Sequence, residues 1–179
     1  MKKKFKQRTL NRAVVSALVF GSAGLSVASY SDSIAGTGNL AVSVSVKHSC
    51  SMNTTSMAFG TYDGVVANAS NALEATATVI STCTSGAEAL ITMNAGASAG
   101  SGSADAPVRR MTAGPGKYLD YQVYSDVARD TVWGNSAPTG VALTGTGLPQ
   151  NHIVYGSIPS AQKAPEGDYS DQIIVTITY

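Results

Sequence analysis

The chain of 179 residues carries twelve Lys and Arg against eleven Asp and Glu, a formal net charge of +1. Six of those cations but only one of the acids precede Gly36, so the remainder holds six cations against ten acids. An acidic remainder without clustered positive charge excludes a nucleic-acid partner, and its 144 residues suit one domain with a real core.

The first element is a basic head, MKKKFKQR, followed at residues 13–28 by AVVSALVFGSAGLSVA, which is apolar, small-residue rich and uncharged. That succession predicts a secretory signal over residues 1–35. Cleavage by the small-x-small rule fits after Ala28 or after Ala35, the second being preferred. A retained membrane anchor is the competing reading, but the run is short and rich in Gly, Ser and Ala. No later segment is apolar enough to span a bilayer, so the mature chain is expected to lack an integral membrane segment.

Next comes NLAVSVSVKHSC, residues 39–50, in which Leu40, Val42, Val44 and Val46 fall on one side of an extended chain. Cys50 and Cys83 both lie in the exported part, and in an oxidising compartment two cysteines in one small domain predict a disulfide. The alternative, a redox-active pair, lacks Cys-x-x-Cys spacing.

Period-two alternation, with Val, Ile, Thr and Tyr enriched, predicts strands over residues 73–83, 88–94, 118–126, 152–158 and 171–179. In the last of these Ile173, Val175, Ile177 and Tyr179 face one way. Between them, residues 94–107 (NAGASAGSGSADAP) read as a flexible surface excursion, and residues 158–171 as a Pro- and Gly-containing loop. No window shows a persuasive amphipathic helix. The fold class that follows is all-β, an antiparallel sandwich of about seven short strands.

No catalytic, metal or cofactor site is expected. His48 and His152 lack metal-ligand spacing, and Asp120, Asp126 and Asp130 with Arg129 sit at strand ends and turns, where such residues solvate or pair. Trp133 would suit a sugar platform, but a single Trp in a sandwich is more often core.

The sheet carries an accounting problem. A sandwich of this type has a further strand after a terminal strand such as residues 171–179. Without it, that strand is an exposed edge beside an uncovered core groove, an aggregation hazard. The alternating segment at residues 39–47 has the right chemistry to fill such a groove in a neighbouring copy. Its competing readings are an ordinary first strand, or a strand folded back into its own molecule.

Several pieces resemble the spore coat protein U domain family, the archaic (Csu-type) chaperone/usher pilins of Gram-negative bacteria. They are GTGNLAVSVSVKHSC (36–50), FGTYDG (59–64), ISTCTSG (80–86), YLDYQVYSDVARDTVWGN (118–135) and IVYGSIPSAQKAPEGDYSDQIIVTITY (153–179). The ordered ending, with its Gly-Asp-Tyr-x-Asp run before a terminal alternating strand, is the most specific part. The resemblance implies an incomplete immunoglobulin-like β-sandwich lacking its last strand and completed by a donor strand. It implies residues 36–48 as the donor segment, with Leu40, Val42, Val44 and Val46 as inserted side chains. Residues 49–179 become the pilin body, with Ile173, Val175, Ile177 and Tyr179 on the acceptor edge. It further implies a periplasmic chaperone, an outer-membrane usher and neighbouring subunits as partners, and a place on the cell surface, where the fibre serves adhesion and biofilm formation. The alternative function is a secreted monomeric β-sandwich binding module for carbohydrate or a surface.

Overall fold

The computed structural model describes residues 36–179, so the signal reading of residues 1–35 lies outside the described residues. The chain divides into two units, Met1–Ser43 and Val44–Tyr179. In the first, residues 36–43 form no ladder and are exposed; in the second, residues 44–49 likewise carry no strand, and the ordered body begins at Cys50.

Eight strands build the second unit: β1 (Cys50–Thr54), β2 (Leu73–Cys83), β3 (Glu88–Met93), β4 (Arg109–Thr112), β5 (Tyr118–Tyr124), β6 (Val141–Thr144), β7 (Gln150–Ile158) and β8 (Val175–Thr178). The only helix among the described residues is a short 3-10 turn, Ala137–Thr139. One sheet has the order β1-β2-β7-β5-β4 and the other β6-β3-β8, with every named pairing antiparallel. Alternation decides which faces meet. Val79 and Cys83 of β2, Ala89, Ile91 and Met93 of β3, Leu119, Tyr121 and Val123 of β5, and Val154 and Ile158 of β7 are buried as one core.

Three strands that alternation did not announce, β1, β4 and β6, are only four or five residues long, too short to display a period. The last strand is shorter than its pattern, beginning at Val175 because its partner β3 stops at Met93. The Gly-rich stretch 94–107 is not a free excursion. Gly100 N–H bonds Val108 O, Arg110 donates to Ser98 O and Ala99 O, and Asn135 N–H reaches Ala104 O. Small side chains there let the main chain lie close against neighbouring strands.

The disulfide Cys50–Cys83 joins β1 to β2 at directly opposed positions, with Cα atoms 4.1 Å apart. It closes a separation of 33 residues, which on the loop-entropy model restricts the unfolded chain by about 3 to 4 kcal/mol.

One seam between the sheets is clamped. Arg109 of β4 is 1% exposed and donates from Nη2 to Met93 O (3.0 Å) and Trp133 O (2.8 Å), from Nε to Asn94 O (2.9 Å), and from Nη1 to Gln122 Oε1. Trp133, also buried, donates Nε1–H to Ile91 O at 2.9 Å. A guanidinium with several neutral acceptors keeps its charge inside at some cost, and burial lowers its pKa to about 10 against an opposing pull from Tyr121 and Asp171.

Candidate functional site

The opposite seam is open. β8 bonds β3 along one edge, Leu90↔Thr178 through Met93↔Val175, and among the described residues no named strand pairs with its other edge. Facing it across a gap is the chain that leaves β1, residues 54–59. Between these walls lies a cavity of about 610 Å³, floored by Val79, Val123 and Val154 of one sheet and Met93 of the other. A second, of about 990 Å³, continues past Leu119 and Ile158 toward residues 162–169. The two share Met57, Phe59, Met111 and Tyr169, which form a waist between them.

Side chains add to the main-chain bonds that hold the walls, among them the reciprocal pair between Thr112 and Ser170. The Asp171 carboxylate accepts the amides of Ala97 (2.9 Å) and Ser98 (3.1 Å) and the Tyr121 hydroxyl (2.7 Å), joining the segment before β8 to β5 and to the loop after β3. Burial, with that bond to Asp171, pushes the Tyr121 phenol far above its ordinary range, so it stays a hydroxyl donor. Gly96, at φ +88°, approaches the carboxylate so closely that any side chain there would collide with it. Asn94 Oδ1 accepts Ile174 N–H at 2.8 Å, replacing the rung that β3 no longer supplies. On the opposite wall Met57 and Phe59 cross directly above Gly156 of β7, where a β-carbon would strike both.

Past Ile158 the neighbour of β5 is Pro159, which has no N–H to give. The Gln162 side chain takes over: its Nε2 donates to Asp120 O and its Oε1 accepts Asp120 N–H, both at 2.8 Å. Tyr62 locks this turn, donating to Pro159 O (2.7 Å) and accepting from Gln162 N–H (2.9 Å).

Leu40, Val42, Val44 and Val46 are exposed at 88, 86, 89 and 77%. Ile173, Val175 and Ile177 pack half-buried against the core, the first two lining the first cavity, whereas Tyr179 follows the ladder and is 57% exposed. The groove residues that sequence reading missed are Met57, Phe59, Met111 and Asp171. Asp171 closes the Gly-Asp-Tyr-x-Asp run and was visible there; residues 54–59 have no period that would mark them.

The other residues singled out have structural places. Asp126 accepts Asp130 N–H and Thr131 N–H within its turn, which holds its carboxyl below the usual range. Arg129 pairs instead with Glu74 at 3.0 Å and lies over the Tyr155 ring. His152 bonds the buried Ser81 hydroxyl at 2.9 Å. Among the described residues no group of three or more His, Cys, Asp and Glu is placed to hold a metal, and no helix is long and apolar enough to cross a membrane.

Two antiparallel sheets clamped at one seam and open at the other define a β-sandwich with an exposed strand edge, a fold with solved counterparts. It is similar, at TM-score 0.52 and 17% identity, to a chain in the crystal structure of the CsuC–CsuE chaperone–tip adhesion subunit pre-assembly complex from archaic chaperone-usher Csu pili of Acinetobacter baumannii. The match covers 75% of this chain and 40% of that one, so this chain spans well under half of its length. The chain belongs to the Spore Coat Protein U domain family, whose model matches residues 36–176. It is also 37% identical over 171 residues to Protein U of Myxococcus xanthus, covering 91% of this chain and 96% of that protein.

Proposed function

We propose that this protein is a structural subunit of a secreted surface pilus of the chaperone-usher type, assembled by donor-strand exchange and serving adhesion and biofilm formation. One observation carries the reading: a β8 edge that no named strand pairs among the described residues, beside a groove with an apolar floor, in a chain that also carries four exposed, alternating apolar side chains at residues 40–46. Residues 36–48 of one copy enter the groove of the next. Leu40, Val42, Val44 and Val46 fill the floor, while their main chain pairs with the edge carrying Ile173, Val175 and Ile177. Four such side chains contribute at most about 6 to 12 kcal/mol on burial, before ladder bonds are added. The contact is heterologous and does not close, so it grows into a filament.

Membership of the family supports the reading, as does the fold shared with a chain of a chaperone–subunit complex. In this reading a periplasmic chaperone covers the groove before assembly, an outer-membrane usher is the site of exchange, and no catalysis is involved. The signal at residues 1–35 directs export.

The test compares melting of the chain lacking residues 36–47 with the same body carrying TGNLAVSVSV on a flexible linker after Tyr179. A gain of roughly 10 °C or more is expected from the burial involved. A truncated body that is stable and gains nothing would overturn the reading in favour of a self-contained binding module.

A further inference from the structure

Two methionines, with Phe59 and Tyr169, build the waist of the groove. Met57 and Met111 are both half-buried and line both cavities, whereas Met93 lies at the floor and is 2% exposed. Both cysteines are committed to the disulfide, so thioethers are the sulfur left for an oxidant to reach. A disulfide also places the chain in an oxidising compartment, where the groove must stand open, or be lent a strand, before its final partner arrives.

We propose that Met57 and Met111 are a sulfoxidation site whose modification closes the groove to an apolar strand; this rests on the donor-strand reading above. The co-reactant is a peroxide. Hydrogen peroxide transfers one oxygen to the thioether: its O–O bond breaks, an S–O bond forms, sulfur loses two electrons, and the second oxygen leaves as water. The product is polar and chiral where the reduced side chain was apolar and adaptable. At the waist an S=O dipole meets the Phe59 ring and a Tyr169 hydroxyl already donated to Pro165 O, so laying an apolar strand such as Leu40–Val42–Val44–Val46 over it buries an acceptor without a partner, which opposes insertion. An inserted strand in turn covers both sulfurs. Oxidation and strand insertion therefore exclude one another, and the methionines record whether a subunit met oxidant before or after it was assembled.

The experiment uses the whole exported chain, as monomer and as fibre, treated with hydrogen peroxide and mapped residue by residue by mass spectrometry. Met57 and Met111 should oxidise at least about tenfold faster than Met93 in the monomer, and be protected at least about tenfold in the fibre. Oxidised monomer should assemble at least about tenfold more slowly, the equivalent of one unpaired buried acceptor, and methionine sulfoxide reductases should restore the rate. In M57L/M111L, whatever its starting rate, peroxide should leave assembly unchanged. Equal oxidation of Met57 and Met111 in monomer and fibre overturns the proposal, as does undiminished assembly of oxidised chain or a peroxide effect that persists in M57L/M111L. If untreated chain takes up no strand, the donor-strand reading itself falls; if it does and oxidation is without effect, only the present inference falls.

Discussion

Arg109 shows what one residue does for a half-open sandwich. Its four polar contacts reach β5, the end of β3 and the main chain at Trp133, tying the two sheets together. Arg109→Met keeps the aliphatic bulk but strands those acceptors, and should cost about 3 kcal/mol or more, read as a fall in the urea midpoint. His152 makes a different prediction. Burial lowers its pKa below the unfolded value of 6.5, so the unfolded chain takes up the proton more readily. Its contribution is intact above about pH 6.5 and is lost as pH falls from there through the folded value. Urea titrations at pH 7.5 and 5 should show this fall, and His152→Gln should flatten it. Neither role was legible from residue type: Arg109 lies on a four-residue strand whose burial depends on β3 and Trp133 arriving over it.

At the scale of elements, β2 and β7 form the longest ladder, and both are plain in the sequence because eleven and nine residues give a period room to repeat. The edge strand β1 has five residues and one neighbour, and is held by the cystine at its first position. Replacing both cysteines by Ala should lower stability by about 3 to 4 kcal/mol, measured against the oxidised parent. It should also fray the wall at residues 54–59, seen as faster amide exchange there than in β3. The loops repay closer reading. Gln162 supplies the rung that Pro159 withholds, and Asp171 and Asn94 carry the groove wall where β3 has ended. Each is a side chain standing in for a main-chain partner, which no alternation pattern records.

For the whole molecule the consequence is a body with one closed and one open seam, and a segment whose apolar side chains are unburied in the single chain. Val44→Asp places a charge at the centre of the row proposed to insert. Burying an unpaired carboxylate costs several kcal/mol, more than one valine contributes. On the proposed reading fibre growth should be abolished while capture by a chaperone that covers the groove itself persists; sedimentation and electron microscopy of the fibres, with co-purification of the chaperone, would check both halves.

Alternation alone determined which residues of β2, β3, β5 and β7 face inward, because successive side chains of an extended chain must take opposite sides. Two cysteines admit a single intramolecular pairing, and the continuous period at residues 39–47 marks a segment with the pattern of a strand, although the single chain forms none there. What remained for the tertiary structure was the identity of each strand's neighbours and the place of the opening. Pairing along a sheet joins residues far apart in the chain, as Leu73 joins Ile158, and a cavity exists only between elements. Met57, Met111 and Asp171 became groove residues when three separate segments were folded around one gap, a relation that local periodicity does not carry.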